Sequence, residues 1–305
     1  MNGLKQEFLI AGGTGMIGSA LSRRLISEGH QVSFLSRKAG ERNGIRAYAW
    51  NPADGSMDLT ALQPEQIIIN LAGSSIAGGR WTSSAKKEII RSRVNASNTL
   101  ITGLTESGCR PHMILQASAI GYYGDRTGET LDESSAPGQK GFLAESVKIW
   151  EESAQKLKEL TDHFSILRIG LVLCQQGGMW PTMSASSAVG VLNWIGTGKQ
   201  IYSWIHLDDL IAAICFLTQK ETVSPVYNLT APIPVSMKEM IQQAAHLYSL
   251  PKLAFGIPEF PVRAVLGEMA DLTTTSSLVM PQNLIQEGFV FQYPDIKSAL
   301  ENILK

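Results

Sequence analysis

The sequence predicts an α/β fold, a doubly wound parallel sheet carrying a smaller C-terminal substrate portion. Three observations lead there. Short apolar runs alternate with helix-period segments over the first two-thirds of the chain, the pattern of a parallel sheet covered on both faces. A glycine-rich turn, "AGGTGMIG" at 11–18, joins the first run to the first helical segment. The length, 305 residues at 44% apolar and 17% charged, exceeds that of a usual single core, so a second, smaller unit is expected.

In chain order, the apolar run 8–11 reads as a strand and 16–28 as a helix. Ile17, Ala20, Leu21 and Leu25 fall on one stripe, and Gly29 supplies a stop. "QVSFLSRK" is a second strand. The alternation repeats as 67–72 then 83–107, 112–118 then 141–160, and 164–173 then 207–219. After Leu173 it loosens: "QQGGMWPTM" and "GTGKQ" read as loops, and "APIPV" and "FGIPEFPV" concentrate prolines. "SMKE" at 236–239 is a capping box, predicting a helix from Ser236 to about Tyr248. A last amphipathic segment starts at Pro294, with Ile296, Ala299, Leu300 and Ile303 on one side.

Lys+Arg 26 against Asp+Glu 27 gives a net charge of -1, without the basic field that nucleic acid or an anionic membrane selects. Cys109, Cys174 and Cys215 show neither CxxC nor Cys/His spacing, which predicts reduced thiols, no disulfide framework and no zinc. The five histidines lack ligand spacing, so no metal is expected. The apolar segment "LIAAICFL" at 210–217 is too short to span a bilayer, and the glycine-thinned 8–21 stretch does not read as a signal peptide. The expectation is a cytoplasmic protein with a small-molecule substrate; oligomeric state is left open.

Gly12, Gly15 and Gly18 form G-x-x-G-x-x-G between strand and helix. A tight turn, a close approach of backbone amides to a pyrophosphate, and helix-on-strand packing each require a missing side chain. The helix start then presents N–H groups and a positive dipole end to phosphate. The second strand ends at Ser36-Arg37-Lys38, where an NAD site would place an acid on the ribose 2′-hydroxyl. A hydroxyl and a guanidinium suit a 2′-phosphate instead, and hence NADP. One hydrogen bond to a charged group contributes about 1.5–3 kcal/mol, roughly ten- to a hundredfold in affinity. The competing reading of Arg37 and Lys38 is a solvated loop end.

Several further segments, in order, are "NLAG" at 70–73, "RW" at 80–81, "KEIIRSRV" at 87–94, "ASAIGYYG" at 117–124, "FLAESVKIWE" at 142–151, "ILRIGLVL" at 166–173 and "SWIHLDDL" at 203–210. With the glycine turn and the C-terminal "GEMADLTTTSSLVMPQNLIQEGFVFQYPDIKSAL", they resemble the atypical extended short-chain dehydrogenase/reductases of the YfcH/YfhF epimerase type over nearly the whole chain. The resemblance implies an NAD(P)-binding Rossmann fold in residues 1–178, with 201–230 returning to it. Residues 179–305 would be mainly a substrate and C-terminal domain. It implies NADP held by Gly12, Thr14, Gly15, Met16, Ile17 and Gly18, by Ser36, Arg37 and Lys38, by Leu71, Ala72 and Gly73, and by Glu88, Arg93 and Val172. Without it, Glu88 and Arg93 read as a solvated helix face.

The catalytic pattern is broken. Short-chain dehydrogenases use Tyr-x-x-x-Lys on a helix, because a phenol of pKa about 10 is only about 0.1% ionised at pH 7 and an adjacent ammonium favours the phenolate. Counting back from Glu151, those positions fall on Leu143 and Val147, within an apolar stripe of Leu143, Val147, Trp150, Ala154 and Leu157. Lys148 is rotated by about 100° toward solvent. Ser118 fills the family's Ser position and reads as orienting a ligand rather than as a nucleophile. Tyr122 and Tyr123 are the candidate phenols, or one of them packs beneath the nicotinamide edge. His206 reads as a structural histidine beside Asp208 and Asp209, and Leu278 replaces a frequent Arg of the family. The functional expectation is an NADP-dependent oxidoreductase or epimerase acting on a small polar substrate, a sugar nucleotide by resemblance alone. The alternative is an NADP-binding protein with little turnover and a regulatory or interaction role.

Overall fold

The computed structural model describes residues 5–175, 177–248 and 253–304. Nine strands form the large sheet: β1 (Glu7–Ala11), β2 (Gln31–Ser36), β3 (Gly40–Arg42), β4 (Ile45–Asn51), β5 (Ser56–Met57), β6 (Ile67–Asn70), β7 (Met113–Ala119), β8 (His163–Ile169) and β9 (Val226–Leu229). Their order is β9-β8-β7-β6-β1-β2-β4-β3, with β5 against β4. All pairs are parallel except those of β3 and β5 with β4.

Strand periodicity sends alternate residues to opposite faces. Phe8, Ile10, Ile67 and Ile69 meet α1 (Met16–Ser27) and α4 (Leu207–Thr218) on one face. Leu9, Ala11, Ile68 and Ile114 meet the other layer, which includes α2 (Ser83–Ser107) and the end of α3 (Phe142–Ala154). From β1 the chain runs outward through β2 and β4, then crosses back to β6. That reversal opens a crevice at the carboxyl ends of β1 and β6, where open α/β sheets bind ligands.

A second core holds Trp204, Tyr202, Met240, Ile241 and Leu300, built around α5 (Met237–Leu247) and α7 (Ile296–Ile303), while α6 (Glu259–Leu266) has no buried residue. The run 164–173, expected as one strand, is two. Gly170 donates to Leu229 O (3.0 Å) in the large sheet, whereas Leu171 donates to Ser203 O (3.0 Å), and Leu171–Cys174 then pairs with Trp204–His206. A Cβ at Gly170 would lie 2.7 Å from the Ser203 carbonyl oxygen, so only glycine makes this handover.

Other expectations change as well. "QQGGMWPTM" is not all loop: Gly177–Gly178 pairs antiparallel with Leu173 and Cys174, and a short helix spans Trp180–Ser184, while Gln176 lies outside the described residues. Leu253–Ile257, which runs into the proline-rich "FGIPEFPV", pairs parallel with Val191–Ile195, a strand pair the sequence reading did not assign. Strand β4 went unpredicted although Ile45, Ala47 and Trp50 are buried, because its register is set by β2 rather than by a clean apolar run. No helix among the described residues is long and apolar enough to cross a membrane.

Candidate functional site

A cleft of about 560 Å³ lies at the crevice, lined by Gly12, Thr14 and Gly15, by Ser36 and Arg37, by Leu71, Ala72 and Gly73, and by Glu88. Gly12 has φ +79°, and a Cβ there would sit 2.9 Å from the Leu71 carbonyl group, so the two loops meet backbone to backbone. Gly15 is the N-cap of α1, and no described side chain caps the first turn. The first helical bond runs from Ser19 N to Gly15 O (2.8 Å). That leaves the opening amides of α1 available to an anion.

The remaining turn residues serve the packing. A Cβ at Gly18 would lie 2.4 Å from Gly12 O, so the helix sits directly on the turn. The Met16 thioether rests 3.5 Å from Cys174 Sγ, and Ile17 packs against the core beneath α1. Val172 is buried in the strand paired with Trp204–His206 and does not line the cleft. Lys38 is exposed beyond the end of β2 and also lies outside the lining. Among the described residues, no carboxylate pairs with Arg37 (no salt bridge or hydrogen bond joins it to one).

Sequence reasoning missed part of the wall: Trp50, Asn51, Pro52 and Ala53 at the end of β4, and Arg91, Ser92 and Asn95 on α2. The Asn-Pro turn after "AYAW" was the available signal. The two charged residues of "KEIIRSRV" part company. Glu88 is exposed and held by Arg91 at 2.5 Å. Arg93 is half-buried, so the solvated-face reading fails for it. Its guanidinium lies 4.9 Å from the Trp150 ring, its Nη1 donates to Ile89 O (2.9 Å), and Gly73 packs so closely that a Cβ there would come within 3.1 Å of it. Burial lowers its pKa to about 10.

Ser118, Arg168 and Asn228 stand side by side in the registers of β7, β8 and β9. Ser118 Oγ donates to Glu151 Oε1 (2.6 Å), and Arg168 forks onto both Glu151 oxygens (2.8 and 2.9 Å). Arg168 Nη1 donates to the Tyr123 hydroxyl (2.9 Å), which donates to Asn228 Oδ1 (2.8 Å). Every member is buried. Tyr123 is fully enclosed and burial pushes its pKa up to about 12, so its hydroxyl is committed within the protein. Tyr122 is only partly buried, with the Arg168 guanidinium 3.4 Å from its ring centre. Val147 and Trp150 are buried and Lys148 is exposed, 3.9 Å from Glu152, so α3 offers no Tyr–Lys pair. An Arg inside the apolar run "ILRIGLVL" was the one sequence signal for this network, since a buried guanidinium requires a partner.

His206 lies elsewhere: its Nδ1 accepts from Asp208 N (3.1 Å) and caps α4, with the Tyr293 ring centre 4.0 Å away at a tilt of 41°.

The sheet order, the glycine turn and the crevice define a dinucleotide-binding Rossmann protein of the short-chain dehydrogenase type. Residues 8–230 match the NAD dependent epimerase/dehydratase family, and the chain belongs to it. Residues 257–303 match a domain of unknown function, DUF1731. The chain is 33% identical to the epimerase family protein YfhF of Bacillus subtilis over 97% of each chain. Among solved structures it is similar to the human epimerase family protein SDR39U1 (isoform 2) with NADPH, at 27% identity and a TM-score of 0.87, covering 98% of this chain and 99% of that one. It is also similar to a nucleoside-diphosphate sugar epimerase of Corynebacterium glutamicum, at 28% identity and a TM-score of 0.77, covering 98% of this chain and 58% of that one.

Proposed function

We propose that the cleft binds NADP(H) and that the protein is an NADP-dependent oxidoreductase or epimerase acting on a small polar molecule. The observation that carries the cofactor choice is the rim at the end of β2. There Ser36 and Arg37 line the cleft, and no described carboxylate neutralises the guanidinium. The residues fit the group: Gly12 leaves no room for a Cβ, and the first turn of α1 is uncapped. The similarity to a human protein solved with NADPH supports the same choice.

When bound, NADP(H) supplies hydride exchange. Ser36 and Arg37 hold the 2′-phosphate, and the amides that open α1 hold the pyrophosphate. Arg93 keeps a half-buried cation beside Gly73. Leu143 and Val147 transfer no proton, and Ser118 and Tyr123 are engaged with Glu151 and Asn228, which leaves Tyr122 as the candidate proton donor. Sugar nucleotides are the substrate class that the resemblance implies.

Calorimetry tests the cofactor assignment. Arg37→Ala should weaken NADPH by about ten- to a hundredfold while leaving NADH within about twofold. Equal losses for both would overturn it. A second reading, cofactor binding without turnover, is favoured by the apolar 143/147 face. Incubation with NADPH and broad panels of carbonyl compounds and nucleotide sugars separates the two: turnover that Tyr122→Phe abolishes supports catalysis, and tight binding with none supports the second reading.

A further inference from the structure

A second cavity, of about 280 Å³, opens between the N-terminal turn of α3 and the C-terminal part of the chain. Leu143, at the position of the missing phenol, forms part of one wall with Asp125 and Lys140; Glu259, Arg263 and Asp271 stand on the other. We propose that this cavity is the substrate site and that it takes an uncharged, hydroxyl-rich molecule of monosaccharide size, not a diphosphate-bearing sugar nucleotide. The proposal rests on the cofactor reading above and narrows its substrate class.

Size is the first argument. Small-molecule sites generally occupy about 300–1,000 Å³, and this one falls just below that range, with room for a sugar but not for a sugar, a diphosphate and a nucleoside together. Charge is the second. A diphosphate is recognised by guanidinium forks and ammonium groups that are free to turn to it. Arg263 is not free: it is bonded to Glu259, to Asp271 Oδ1 (3.0 Å) and to Thr274 Oγ1 (3.1 Å). Among the described lining residues Lys140 is the remaining cation and Asp125 a further carboxylate, so a diphosphate inside the cavity would face more carboxylate than available positive charge. Those same carboxylates accept hydrogen bonds from sugar hydroxyls, and Leu143 offers an apolar surface to C–H groups.

Protein labelled with 13C at leucine methyls, with residue 143 assigned through Leu143→Ile, provides a local reporter. It is titrated in the presence of NADP+ with UDP, with UDP-glucose, and with a panel of neutral aldoses, ketoses and polyols. The expected result is movement of the Leu143 signal by at least one neutral compound at millimolar concentration and by neither nucleotide. Movement by UDP-glucose at lower concentration than by any neutral compound overturns the proposal, as does no movement by the whole neutral panel up to about 50 mM. Calorimetry with NADPH on the same sample reads the cofactor assignment separately, so the two failures are distinguishable.

Discussion

Arg168 places a guanidinium inside a parallel sheet, where an unpaired charge is strongly unfavourable. Glu151 answers it with both oxygens, and Ser118 and Tyr123 fill the remaining positions. Breaking such a buried pair from one side costs about 3–5 kcal/mol, whereas replacing both partners with apolar groups is often close to neutral. Glu151→Gln should therefore lower the urea unfolding free energy by about that amount, and Glu151→Leu/Arg168→Met should recover most of it. A single-variant loss below about 1 kcal/mol would show that the pair is not holding these strands. At this scale the sequence exposed the residues set by backbone geometry or local order, the close-packed Gly12 and Gly18, and Gly15, Ser36 and Arg37 of the cleft lining. It hid Glu151, whose partner lies 17 residues away on a different element.

The helix α4 begins on a histidine, and that makes its start sensitive to pH. His206 caps the helix through an unprotonated Nδ1, and burial lowers its pKa from 6.5 against the opposing pull of Asp208 and Asp209. As pH falls below 6.5 the unfolded chain takes up the proton first, so the stability present above that pH is lost on acidification. His206→Asn keeps a cap acceptor without the titration. Its unfolding midpoint should fall less between about pH 7 and pH 5 than that of the wild type, by urea titration. Parallel slopes would rule His206 out as the source. Asp209, whose pKa burial raises, works in the opposite direction but is common to both proteins. Helices α1, α2 and α4 were legible because each carries its own apolar stripe. β4 and the break at Gly170 were not, because each is decided by a neighbouring strand.

At the scale of the molecule, the C-terminal segment fastens the two cores together. Asn283 Nδ2 donates to Val226 O (2.8 Å), Asn228 Nδ2 to Met280 O (2.9 Å) and Thr230 Oγ1 to Val279 O (3.1 Å), so residues 279–283 cover the free edge of β9. Asp209 on α4 accepts the Gln292 and Tyr293 amides (2.7 and 2.9 Å). A chain ending at residue 275 would leave that edge open to pairing with other chains and strip α7 from the second core. It should self-associate on size exclusion and lose near-UV circular dichroism. A monomeric truncation with a cooperative thermal transition would contradict this account of the segment.

The sequence by itself determined the α/β class, the strand–turn–helix that opens the chain, the absence of an acid at the end of β2 and the lack of a Tyr–Lys pair at 143 and 147. Each of these is written within a few consecutive residues, as periodicity, glycine placement or a missing side-chain type. Only the tertiary structure decided that Ser118 and Tyr123 are bound into a buried charge network, that Arg93 is half-buried against Gly73, and that Leu143 lines a mixed-charge cavity bounded by the C-terminal part of the chain. Those outcomes depend on which side chains meet across distant elements, and burial fixes the partners and the charge state of a polar group only after the elements have packed.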